Sequence, residues 1–237
     1  MSQPKSNRAP VGSVQCENTT LNLLKANDFV AKAIKEKLSP YQILVLNICS
    51  SPGSGKTTLL QETGKRLKSE LKIGVLVGDP ETERDAIRIR ESGIDCLQIV
   101  TGGMCHIEAQ MILQALDHFD YKNLDILIIE NVGNLVCPAA FDLGEDYRVT
   151  LIASTEGDDK PKKYPRMFLT SELMVVSKSD LLPYVPFSVD AVTKDAREIN
   201  PGIEVITISS LTGSGMDEWC NWLKLKVSEK KENLVTI

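Results

Sequence analysis

The chain has 237 residues, a formal net charge of −5 and 42% hydrophobic residues, enough apolar material for one α/β domain with a substantial core. The acidic balance argues against a general nucleic-acid surface, and no apolar run approaches the ~20 residues of a membrane span. The six cysteines include no CxxC pair and no secretory h-region opens the chain, so reduced thiols in a cytoplasmic setting are expected.

Residues 1–19 mix Ser, Pro, Asn and Gly without periodicity and read as a flexible lead-in. From Asn22 to Leu38, the positions Leu23, Leu24, Val30, Ile34 and Leu38 approximate a helical stripe that stops before Ser39-Pro40. Apolar runs then predict strands at Ile43–Ile48, Ile73–Val77, Cys96–Val100, Leu124–Ile129, Arg148–Ser154, Leu173–Val176 and Glu204–Ile208. Between them, helices are predicted at Lys56–Glu70, Glu83–Glu91, Ile107–Phe119, Val189–Glu198 and Gly215–Val227. Strand-then-helix alternation calls for an α/β fold: a doubly wound, mainly parallel sheet of about seven strands with helices on both faces. The expected division is residues 1–40 as lead-in and N-terminal helix, 41–228 as the P-loop domain, and 229–237 as a loose tail.

The first predicted strand runs into Ser50-Ser51-Pro52-Gly53-Ser54-Gly55-Lys56-Thr57-Thr58 and then a helix. This is the phosphate-binding loop in its proper context, with Ser50 at the first Gly position of G-x-x-x-x-G-K-[ST]. Gly53, Ser54 and Gly55 bring backbone N–H groups around phosphate oxygens, and Thr58 continues the helix N-terminus. Lys56 neutralises the β and γ charge, while Thr57 can ligate Mg²⁺. Asp79 and Glu130 each follow a predicted strand at the carboxyl edge of the sheet, where they can complete the Mg²⁺ site. Glu130-Asn131-Val132-Gly133 has the acid-x-x-Gly form of a γ-phosphate-sensing switch. No residue identifies itself as a water-positioning Gln or an arginine finger, so slow intrinsic hydrolysis is expected.

Ser177-Lys178-Ser179-Asp180 resembles the Asn-Lys-x-Asp guanine motif, with Ser in the Asn position. The Asp180 carboxylate can accept from guanine N1–H and the 2-amino group together, whereas adenine would leave it unpaired. Lys178 would lay its aliphatic stem on the base, and Ser209-Ser210 occupies the place of a second base-contacting loop. Losing Asn at Ser177 removes a prop from the motif. GTP and GDP are the expected nucleotides.

Cys105-His106 precedes a predicted helix, and Cys137 lies seven residues after Glu130. Thiolate and imidazole suit Zn²⁺ or Ni²⁺, but adjacent residues cannot complete a shell alone. The missing ligands would come from Cys137 or from a second copy of the chain. Cys49, Cys96 and Cys220 read as small buried hydrophobes, and Trp219 and Trp222 as helix-packing residues. The basic cluster Lys160, Lys162, Lys163 and Arg166 is either a solvated loop or a reach toward a partner's nucleotide.

Three longer segments widen the reading: Thr101-Gly102-Gly103-Met104-Cys105-His106, the run from Glu130 through Asn134-Leu135-Val136 to Cys137-Pro138, and Glu156-Gly157-Asp158-Asp159-Lys160-Pro161-Lys162-Lys163-Tyr164-Pro165. Together they resemble the HypB family of hydrogenase nickel-incorporation GTPases, over about Val45 to Leu223. The resemblance implies a P-loop GTPase of the SIMIBI class that helps deliver Ni²⁺ to [NiFe] hydrogenase. It also implies a nucleotide-dependent homodimer, a metal site at Cys105, His106 and Cys137 near the dimer interface, and the hydrogenase large subunit and other maturation proteins as partners. Some family members carry an N-terminal Cys-rich site or His-rich tract; residues 1–40 here hold only Cys16 and no His, so no separate store is expected there. Related classes fit less well. The urease-accessory GTPases carry Cys-Pro-His where this chain has Cys105-His106, and the deviant-Walker ATPases carry Lys where this chain has Ser51. A kinase would need an Arg-bearing lid, and a non-catalytic metal scaffold is the alternative outside enzymes.

Overall fold

The computed structural model describes residues 11–79 and 84–232, with side chains of the first helix described from residue 21. The first ten residues of the expected lead-in, Glu83, the last five residues of the expected tail and the side chain of Cys16 therefore lie outside the described residues. In chain order the elements are α1 (Val11–Leu38), β1 (Leu44–Ser50), α2 (Lys56–Leu67), β2 (Ile73–Asp79), α3 (Arg84–Glu91), β3 (Asp95–Val100), α4 (Ala109–Leu116) and β4 (Ile126–Gly133). They continue with β5 (Tyr147–Ala153), α5 (Lys160–Lys163), α6 (Pro165–Leu169), β6 (Leu173–Ser177), α7 (Val189–Ile199), β7 (Glu204–Thr207) and α8 (Met216–Glu232). Short 3-10 turns occupy Ser39–Tyr41, Cys137–Ala140 and Ser179–Tyr184.

The seven strands form one sheet in the order β3-β2-β4-β1-β5-β6-β7, and every neighbouring pair is parallel. A parallel sheet needs apolar cover on both faces, and β1 shows how its sequence meets that need. Leu44, Leu46 and Ile48 point into a core shared with Leu59, Leu60 and Leu67 of α2, Ile89 of α3, and Trp219, Trp222 and Leu223 of α8. Val45 points the other way, into a core with Ala31 and Ile34 of α1 and Ile112 and Leu116 of α4. A third cluster covers the far half of that face, where Met167 and Phe168 of α6 and Val192 and Ala196 of α7 meet Ile152, Met174 and Val176.

All seven carboxyl ends face one edge. The chain leaves β1 toward β2 on one side, returns through β4 and crosses to β5 on the other, so a crevice opens beyond β1 and β4.

Several boundaries differ from the sequence expectation. The first helix begins at Val11 rather than Asn22, because residues 13–20 carry little apolar stripe yet contain no helix breaker. The last helix runs through Glu232, which absorbs residues 229–232 of the expected tail. Asp79 ends β2, and Glu130 lies inside β4 rather than after a strand. The reason is pairing: β1 and β2 flank β4, with Ile48 and Val77 both opposite Glu130 and Ser50 opposite Gly133. Ladder partners thus carry the strand beyond its apolar run.

Candidate nucleotide and metal sites

The loop after β1 wraps over the N-terminus of α2. Gly55 precedes that helix at φ +96°, a left-handed conformation that L side chains resist. Ser50, at the end of β1, accepts the Lys56 ammonium on its Oγ at 2.7 Å. The Ser in place of the usual Gly therefore parks the lysine beside the phosphate position. Thr57 Oγ1 donates to Glu130 Oε1 at 2.9 Å, while Glu130 Oε2 is buried with no protein partner. Burial pushes the Glu130 carboxyl up to about 7, against the opposing pull of Lys56 and Thr57. An orphaned carboxylate oxygen beside a threonine hydroxyl suits a hard divalent cation, and Asp79 lines the same cleft of about 590 Å³. Gly133 closes that cleft against the loop: a Cβ there would sit 3.0 Å from Pro52.

Around the Ser177–Asp180 segment, Ser177 Oγ donates to Ser54 O at 2.7 Å and Lys178 Nζ to Gly53 O at 2.7 Å. Ser177 therefore ties the end of β6 directly to the loop after β1. Lys178 holds φ 57°, a strained value for a non-glycine residue, which turns Asp180 toward the loop after β7. Ser209, fully buried, donates its Oγ to Asp180 Oδ1, and half-buried Ser210 follows it. Thr58 lines the cleft one residue beyond Thr57.

The structure also gives contacts to residues for which the sequence suggested no definite role. Glu156 bonds to Ser54 Oγ and pairs with Lys160 at 3.0 Å, and Lys160 reaches Ser51 Oγ at 3.2 Å. Of the basic cluster, Lys160 thus braces the phosphate loop, whereas Lys162 and Lys163 pair with Asp195 and Asp159 at the surface. Asp85 and Arg88 of α3 also line the cleft. Their only sequence signal is i, i+3 spacing on a helix shortly after Asp79.

Cys105, His106 and Cys137 come together within one chain, their ligand atoms all within 4.8 Å. Cys105 Sγ lies 3.0 Å from Cys137 Sγ and 3.7 Å from His106 Nδ1. The shared thiol contact with Cys105 raises Cys137, and burial lowers His106 against the pull of Glu108. The imidazole stacks on Phe141 at 4.1 Å, which fixes its plane. Two sulfurs and one nitrogen converging in this way make a ligand set for a borderline-soft ion. Cys49 and Cys220 are buried in the core and Cys96 is half-buried against it, as expected for apolar use.

A buried polar chain joins the two sites. Asn131, next to Glu130, accepts from Ile107 N at 3.2 Å and donates to Asn47 Oδ1 at 3.2 Å. Asn47 donates to Glu145 Oε1 at 3.1 Å, and Glu145 pairs with Arg148 at 2.6 Å. Arg148 then donates to Phe141 O at 2.8 Å and Ala139 O at 3.4 Å, just past Cys137. The backbone on both sides of the Cys-His cluster is therefore anchored to the strands that frame the phosphate cleft.

Residues 44–207 match the family described as CobW/HypB/UreG, nucleotide-binding domain. The hydrogenase maturation factor HypB of Escherichia coli K12 is 50% identical over 204 residues, 86% of this chain and 70% of that protein. The chain belongs to the HypB family. Among solved HypB structures, that of Helicobacter pylori in complex with nickel superposes with a TM-score of 0.82 at 39% identity, covering 88% of this chain and 96% of that one. The Archaeoglobus fulgidus HypB structure gives 0.80 at 39% identity, covering 86% and 99%. The expected HypB resemblance and the parallel nucleotide-binding fold hold. Among the described residues, no helix is long and apolar enough to cross a membrane.

Proposed function

We propose that this chain hydrolyses GTP and handles Ni²⁺ as cargo during maturation of [NiFe] hydrogenase, working in the cytoplasm as a nucleotide-dependent homodimer. One observation carries the reading. The strand that brings Glu130 to the phosphate cleft also places Asn131 against the backbone beside His106, and it leads directly into the turn that bears Cys137. A shift at the γ-phosphate end of β4 therefore acts on both halves of the cargo site.

Residues 41–228 form the GTPase domain in this account. Gly53, Ser54, Gly55 and Thr58 close backbone around the phosphates, and Lys56 meets the β and γ oxygens. Thr57, Asp79 and Glu130 would hold Mg²⁺, which supplies charge neutralisation at those oxygens. Asp180, aimed by Ser209, accepts from guanine N1–H and the 2-amino group. Ser210 flanks the base, and the Lys178 stem lies against it. Cys105, His106 and Cys137 take Ni²⁺, and Zn²⁺ suits the same donors. The relative from E. coli is a hydrogenase maturation factor and a structural neighbour binds nickel, which supports this cargo and points to other maturation proteins and the hydrogenase large subunit as partners.

The test pairs turnover with titration. With Mg²⁺, the chain should hydrolyse GTP in preference to ATP, and Cys137→Ala should weaken Ni²⁺ and Zn²⁺ binding at least tenfold while GDP binding stays intact. Absence of GTP turnover in the dimer would favour a non-catalytic metal scaffold. Unchanged metal affinity in the variant would remove Cys137 from the site.

A further inference from the structure

We infer that Arg88 supplies, from within the same chain, the cation that meets the charge developing on the γ-phosphoryl group during hydrolysis. The inference rests on the GTPase reading above. In that step a water oxygen bonds to the γ-phosphorus while the bond to the β–γ bridging oxygen breaks. The electron pair stays on GDP, and the proton lost from water leaves with inorganic phosphate or to solvent. Negative charge builds on the transferred group and the bridge, so a positioned cation lowers the barrier.

Three cations line the cleft among the described residues: Lys56, Lys178 and Arg88. Lys56 is seated on Ser50 within the phosphate loop, and Lys178 is tied to Gly53 O at the base end. Arg88 remains at the other end, on the side of Thr57, Asp79 and Glu130. Its Nη2 lies 3.0 Å from Gln61 Oε1 and 3.3 Å from Thr58 Oγ1, one residue past Thr57. Its Nη1 lies 3.4 Å from Asp85, which shares the cleft.

Arg88 and Glu130 line the same cleft. The α3 backbone beneath Arg88 is held to α2, because Gln61 Nε2 donates to Arg88 O at 2.8 Å. The side chain itself is half-exposed, and two of its three partners are neutral. A phosphoryl oxygen would offer charge-assisted bonds to the same planar fork, roughly twice as strong as the neutral contacts it replaces. The backbone is fixed, the head is loosely held, and the anion would arrive within its reach.

A purely structural role, stapling α3 to α2, predicts something different, and kinetics separate the two. At saturating GTP with Mg²⁺, Arg88→Ala should lower kcat by about 10²-fold or more. GDP affinity and melting temperature should stay near wild type. Arg88→Lys, which keeps charge but loses the fork, should fall between. Binding of GDP with aluminium fluoride, a mimic of the transferred phosphoryl group, should be lost in Arg88→Ala while GDP alone still binds. Retention of wild-type kcat within threefold, or equal loss of GDP and GDP–aluminium fluoride binding, would overturn the role of Arg88. A wild-type chain without turnover would instead overturn the GTPase reading itself.

Discussion

In the proposed reading, base selection rests on the single carboxylate of Asp180, and its surroundings determine how well it would serve. Ser209 fixes one oxygen, and the left-handed Lys178 sets the direction of the loop. Replacing the carboxylate with an amide swaps an acceptor for a donor where guanine presents N–H groups. Asp180→Asn should weaken GTP binding by about 10²-fold, the scale of ~2–3 kcal/mol for a lost charged hydrogen bond, and should improve binding of xanthosine triphosphate. Titration with the two nucleotides reads this directly, and unchanged GTP affinity would place the base elsewhere. Ser177 is a smaller contributor. Ser177→Ala leaves the Ser54 carbonyl without this donor, and GDP affinity should drop by roughly fivefold, about 1 kcal/mol.

Among the elements, α1 and β5 brace the Cys105, His106 and Cys137 cluster that the proposal assigns to cargo. Asn27 of α1, nearly buried, accepts from Ala109 N at the first turn of α4 and donates to Asp142 O at 2.7 Å, next to the Phe141 ring that stacks on His106. The Glu108 side chain makes no cap there, so Asn27 satisfies the helix donor from another helix. Asn27→Ala should cost about 1–2 kcal/mol in denaturant unfolding and weaken Ni²⁺ binding more than GDP binding. Arg148 and Glu145 are both 8% exposed, so Arg148→Ala strands a buried carboxylate at about 3–5 kcal/mol, a fall of order 10 °C in Tm. A loss below 1 kcal/mol would show that the pair is not structural.

These braces mark the limit of what sequence could reveal. Strands were legible because β-branched and aliphatic runs recur at strand length, and the P-loop because its residues are consecutive. The convergence of Cys105 and Cys137 became legible only through longer motifs, since 32 positions separate them. Asn27 to Ala109, Asn131 to Asn47 and Arg88 to Gln61 leave no periodic trace, because each pairs polar side chains or backbone across a fold already formed. The one-turn helices α5 and α6 are too short for helical periodicity to register.

For the whole molecule, carboxylates set the acid limit. Burial raises Asp142, but Gly144 N–H and Lys35 outweigh it; burial raises Glu156, but Ser54, Ser51 and Lys160 outweigh it. Asp125 is likewise held low by Lys231 and the Lys72 N–H despite its burial. Folded values below the ordinary 3.8 and 4.5 mean that their stabilisation is complete above about pH 4.5 and lost as pH falls through the depressed values. Unfolding free energy should therefore decline steeply below pH 4.5, and flat stability down to pH 3 would contradict these assignments.

The central claim is that one strand, β4, links nucleotide state to cargo grip. The most direct measurement is a Ni²⁺ titration of the full chain, followed by thiolate-to-nickel charge-transfer absorption. It would be run once with GDP and Mg²⁺ and once with a non-hydrolysable GTP analogue and Mg²⁺. A coupling of 1–3 kcal/mol predicts affinities that differ by roughly 5- to 150-fold between the two states. Equal affinities and identical spectra in both would contradict it.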